Sequence, residues 1–71
     1  MADNQNLVID ERRGAAVWLT MNRPDVRNAL ARELVAELRA GVERAIADED
    51  ARAIVLAGAG PVFCAGADVN Q

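Results

Sequence analysis

Ala53-Ile54-Val55-Leu56-Ala57 constrains this chain more than any other stretch, because it is apolar throughout and offers no side chain to water. A strand with one wet face alternates apolar and polar residues. A run without alternation reads as a strand covered on both faces, as in a parallel sheet. The segments before it fit that reading. Leu7-Val8-Ile9 is a short apolar run, followed by Asp10-Glu11-Arg12-Arg13-Gly14. Ala15 to Met21 then reads as a second strand, with Val17, Leu19 and Met21 on one face and Ala16, Trp18 and Thr20 on the other. Two short strands about a charged turn ending in Gly predict a hairpin. Asn22-Arg23-Pro24-Asp25 stops the second strand, since Pro24 lacks an N–H for a ladder and biases Arg23 away from helix.

Asn28 is the expected helix cap. From Leu30 onward, apolar residues recur at 34, 38, 42 and 46, with Val35 beside them, which is one face of a helix. Asp48-Glu49-Asp50 opposes the helix dipole and predicts a solvated turn. Strand, helix, strand in that order predicts a crossover connection between parallel strands. The class is therefore α/β: a hairpin, one helix and one buried strand. Residues 1–6 are polar and expected to be frayed.

Composition limits what the 71 residues can do. They hold one Cys and no His, which excludes an internal disulfide and an ordinary zinc site. Only Trp18 and Phe63 are aromatic. A core this lean in a chain this short reads as either a marginal domain or a piece of a larger unit. Eleven acidic residues against eight basic ones give a net charge of −3, and the basic residues are scattered Arg. There is no cationic stripe for nucleic acid. The uncharged run 53–67 is shorter than the ~20 residues of a membrane helix and is broken by Gly and Pro. The start has neither the positive region nor the apolar region of a signal peptide. A cytoplasmic protein with no membrane partner is expected.

Few residues carry chemistry by type alone. Gly58-x-Gly60 follows a strand, but Phe63 stands where a dinucleotide fingerprint needs its third Gly, and the absence of Lys excludes a phosphate-binding loop. Cys64 has no His to activate it and reads as a small buried hydrophobe. Gly66 between small neighbours marks either a tight turn or a close approach by a ligand. Asp68 follows that turn and reads as a cap for a next helix, with acid–base work as the alternative. Arg27 lies in a loop before a helix, either solvated or in reach of an anion.

Taken together, Asn22-Arg23-Pro24-Asp25-Val26-Arg27-Asn28-Ala29-Leu30, then Ile54 to Gly60, then Phe63-Cys64-Ala65-Gly66-Ala67-Asp68 resemble the amino-terminal part of the enoyl-CoA hydratase/isomerase (crotonase) superfamily. The resemblance covers nearly the whole chain after residue 6. It implies the amino-terminal ββαβ portion of a crotonase-like spiral fold, with residues 1–71 a single incomplete domain, and an acyl-CoA substrate. It implies that the Ala67 N–H is one of two backbone donors in an oxyanion hole for the thioester oxygen. It also implies that Ala65, Gly66, Ala67 and Asp68 line the CoA moiety and that Arg27 meets its phosphates. No cofactor beyond CoA and no metal is implied, and the assembly expected for the family is a homotrimer or a pair of trimers. The activity implied is a lyase of the enoyl-CoA hydratase type, with isomerases, dehydratases and ring-forming synthases sharing these motifs. The second donor and the water-activating carboxylates of hydratases belong to later segments, and Asp68 is not their equivalent, so the 71-residue chain alone is expected to be inactive. The alternative is a non-catalytic piece that binds acyl-CoA or serves assembly.

Overall fold

A computed structural model describes residues 6–68. Of residues 1–6, expected to be frayed, 1–5 lie outside the described residues; Asn6 is exposed, and its carbonyl accepts a hydrogen bond from Asn22 Nδ2 at 3.1 Å. The hairpin forms, but its turn is shorter than the charge pattern indicates: Asp10 to Arg13 continue the first strand as ladder residues, and only Gly14-Ala15 turn the chain. Strand β1 (Val8–Arg13) pairs antiparallel with β2 (Ala16–Met21), in the register Val8↔Met21 to Arg13↔Ala16 across Gly14-Ala15. Helix α1 (Arg32–Ala47) follows, and β3 (Ala53–Gly58) then pairs in parallel with β2, from Ala16↔Ala53 to Met21↔Gly58. The sheet order is β1-β2-β3, so the helix is the crossover between two neighbouring parallel strands.

The core lies between the sheet and α1. Val17, Leu19 and Met21 are buried on the helix side of β2, and Val8, Leu34 and Ala45 close around them. The other face of the hairpin is mixed, with Ile9, Ala16 and Trp18 beside Glu11 and Thr20, and Arg13 stacked 4.1 Å from the Trp18 ring. Two charge pairs tie β1 to the helix: Arg12 meets Asp48, and Arg44 meets Asp10 at 3.1 Å. Such exposed pairs orient more than they stabilise. The Asp50 N–H, together with the Arg12 guanidinium, holds the Asp48 carboxyl below the usual range against a partial loss of solvation.

The structure corrects the helix reading in two places. Ala31, not Asn28, is the residue preceding the first helical turn, and no side chain caps that turn. Leu30 therefore lies outside α1. At the other end Ile46 is 74% exposed while Ala45 is buried. The reason is the pitch of the helix. Steps of four overrun the 3.6-residue turn, so position 46 has rotated ~120° away from Leu34, whereas position 45 lies only ~20° off. The buried stripe runs through Leu34, Leu38, Gly41, Val42 and Ala45.

The buried-strand reading also changes within these residues. β3 has the expected place and direction, but it is the sheet edge. Ile54 and Leu56 share the face of Val17 and Leu19, yet they stay 38% and 47% exposed. The cause is the position of α1, which packs mainly on β1 and β2.

Candidate functional site

Two loops meet beyond the ends of β2 and β3. The first leaves β2 through a single 3-10 turn at Pro24–Val26, then turns sharply at Arg27 and Asn28, which both have left-handed backbones (φ 55 and 56). The second runs from Ala59 to Asp68. They are joined by three backbone hydrogen bonds: Ala65 N–H to Arg27 O at 2.9 Å, Leu30 N–H to Gly66 O at 2.8 Å, and Asp68 N–H to Leu30 O at 3.1 Å. This is a parallel bridge between Leu30 and Ala67. The two sequence motifs are thus one piece of structure, although about thirty residues of chain lie between them.

The bridge decides which way Ala67 points its amide. Leu30 bonds to the residues on either side of Ala67, so the N–H of Ala67 itself faces away from Leu30. No group among the described residues accepts it. Gly66, just before it, has φ +103, a conformation that side-chain-bearing residues rarely adopt. A Cβ at Gly66 would meet no atom of the protein, so it is the backbone turn and not internal packing that calls for the glycine.

A cleft of about 690 Å³ opens here, lined among others by Arg23, Arg27, Ala29, Ala65, Ala67 and Asp68. Of the five expected site residues, Arg27, Ala65, Ala67 and Asp68 line it, and Gly66 lies in the turn between them. Arg27 is exposed, and its guanidinium makes no hydrogen bond or ion pair among the described residues. Asp68 also makes a contact that its residue type does not indicate. Its carboxylate lies 3.5 Å from Arg23 Nη1, with the two side chains 15% and 22% exposed, and the same Arg23 nitrogen donates to Ala29 O at 3.0 Å. Asp68 is therefore a strut between the loops. The helix it was expected to cap falls on residues 69–71, outside the described residues. Cys64 is half-buried, packs against the core, and accepts the Gly66 N–H on its sulfur at 3.4 Å.

Sequence reasoning missed Asn28. It is fully buried in the loop, where its side-chain oxygen accepts the Arg23 N–H at 2.8 Å. An Asn cap and this contact use the same chemistry, a side-chain oxygen on a backbone N–H, but here the bond runs backward along the chain. Among the described residues no group of three or more Cys, Asp or Glu is placed to hold a metal, and no helix is long and apolar enough to cross a membrane.

Comparison with known proteins agrees with the geometry. The family model described as enoyl-CoA hydratase/isomerase matches residues 11–71. The probable enoyl-CoA hydratase EchA14 of Mycobacterium tuberculosis is 52% identical over 52 residues, which are 73% of this chain and 20% of that protein. EchA19 of the same organism is 46% identical over 60 residues, 84% of this chain and 23% of that one. Among solved structures, a carnitinyl-CoA dehydratase from Mycobacterium avium superposes with a TM-score of 0.90 at 40% identity, over 94% of this chain and 27% of its own. The enoyl-CoA hydratase of M. tuberculosis superposes with a TM-score of 0.88 at 38% identity, over 92% of this chain and 28% of its own. The chain thus spans about a fifth to a quarter of these relatives' length. With both motifs in order, the bridge between them and a family match over most of its residues, this chain belongs to the enoyl-CoA hydratase/isomerase family.

Proposed function

We propose that residues 22–30 and 65–68 bind the thioester end and the phosphates of an acyl-CoA, and that the protein serves hydration of a 2-enoyl-CoA. The observation that carries this reading is the Ala67 N–H, unpaired among the described residues and set on the wall of a cleft beside an unpaired Arg27. Addition of water to an enoyl thioester builds negative charge on the thioester oxygen. A fixed backbone donor aimed at that oxygen stabilises the charge as it develops and needs no reorganisation to do so. Side chains at 65–67 no larger than methyl keep the approach open. Arg27 supplies what a CoA phosphate needs, a guanidinium that no described residue neutralises. The held Asp68 takes no proton in this scheme, and none of the described residues is assigned to activate water. The relatives' names, hydratase and dehydratase, favour hydration over the other reactions of the family.

Arg27→Ala is expected to weaken binding of butyryl-CoA by ~1.5–3 kcal/mol, the range for a hydrogen bond to a charged group. That is about ten- to a hundredfold in Kd by calorimetry. The affinity for S-butyryl-pantetheine, which has no phosphate, should not change. Equal affinity of the variant and the unsubstituted protein for butyryl-CoA would make Arg27 a solvated loop residue.

A further inference from the structure

We propose that Asn28 is a positioning residue for the thioester loop: its carboxamide locks the turn at 59–62 to the turn at 22–28 and so fixes the Ala67 N–H relative to Arg27. The role rests on the reading of Ala67 given above. Every polar atom of the Asn28 side chain is engaged. Oδ1 accepts from Arg23 N–H at 2.8 Å, and Nδ2 donates to Ala59 O at 3.0 Å and to Val62 O at 2.9 Å. Its backbone N–H donates to Arg23 O at 2.8 Å. One side chain, 0% exposed, thus holds both loops at the point where each turns toward the cleft. Arg27 precedes it directly, and Ala65 follows Val62 by three residues. Gly58 lets the lock close. A Cβ there would stand 2.9 Å from Asn28 Nδ2 and 2.8 Å from Phe63 Cα.

The chemistry of the position is specific. Two carbonyls from one loop need two donors, one N–H from the other needs an acceptor, and the backbone at φ 56 suits Asn or Asp. Asp keeps the size and the backbone preference but turns an oxygen toward both carbonyls. In a buried site that arrangement repels unless the introduced carboxyl holds a proton. Asn28→Asp therefore has a signature that loss of packing does not: its effect depends on pH. Asn28→Gly keeps the left-handed backbone and removes the side chain, and its effect should be the same at every pH.

The test is amide exchange by NMR on the protein and both variants, expressed as protection factors so that the intrinsic pH dependence divides out. The amides to read are Ala65, Leu30 and Asp68, which join the two loops. At pH 7, Asn28→Asp should cut their protection at least tenfold and lower the affinity for butyryl-CoA at least tenfold, while amides in the middle of α1 keep theirs. Both losses should shrink as the pH falls through the raised titration point of the introduced carboxyl. Asn28→Gly should show the losses without the pH dependence, and it carries the test if Asn28→Asp does not fold. Unchanged protection at Ala65 and Asp68, or an equal loss throughout α1, would overturn the lock. Failure of the unsubstituted protein to bind butyryl-CoA, with the exchange result intact, would instead overturn the thioester reading and reduce Asn28 to a tie between two turns.

Discussion

In a complete enzyme that carries this segment, Ala67→Pro should lower the rate of enoyl-CoA hydration by about 10²–10³, the loss seen when one oxyanion donor is removed. The side chain of Ala67 is a methyl group, so the proposed function lies in its N–H, and proline is the substitution that deletes an N–H. The bridge explains why the result can be interpreted. Leu30 bonds to Gly66 O and Asp68 N–H, and neither bond uses the Ala67 amide. Proline therefore removes no hydrogen bond that holds the loops together. Ala67→Gly keeps the donor and should retain most of the rate. The two variants are read in one assay, the fall in enoyl-thioester absorbance as water adds. Near-normal turnover by Ala67→Pro would remove the oxyanion role from this residue.

Leu19→Ala should cost about 2–5 kcal/mol of stability, the range for emptying a fully buried leucine site. Leu19 is 0% exposed at the centre of β2, flanked in the sheet by β1 and β3 and covered by α1. The helix runs so near that a Cβ on Gly41 would stand 2.9 Å from Leu19 Cδ2. Little can move in to fill the space. Ile46→Ala is the control. At 74% exposure it should change stability by no more than ~0.5 kcal/mol, although the sequence pattern alone ranks it with Leu34. Urea unfolding of the two variants against the unsubstituted protein measures both. Equal costs would mean that the helix buries the 46 side rather than the 45 side.

These expectations separate what the sequence carries from what it does not. Hairpin, helix and parallel strand were legible because their signals are local: alternation from Ala16 to Met21, Pro24 after the second strand, the helical stripe, and the acidic stop at Asp48. The error at Ile46 came from applying a period of four to a helix of 3.6 residues per turn. The cover of β3 was read from composition, but which strands a helix lies over depends on its rotation and tilt, which five apolar letters do not encode. The site was legible through its motifs, which put Arg27 and Ala65 to Asp68 in one cleft's reach. Its internal ties were not. Asn28 bonds to carbonyls 31 and 34 residues away, and Asp68 meets Arg23 across 45. Nothing near either residue in sequence marks those partners, so each was read as the helix cap its chemistry also permits.

The central claim, that the Ala67 amide receives the thioester oxygen of an acyl-CoA, is tested most directly by following that amide in ¹H–¹⁵N spectra during titration. Butyryl-CoA is the probe, since its saturated chain binds without reacting, and free CoA is the comparison. The Ala67 amide proton should move downfield with butyryl-CoA and stay in place with CoA, while the Arg27 side-chain signal moves with both. Saturable binding of butyryl-CoA that leaves the Ala67 amide where it was would contradict the account.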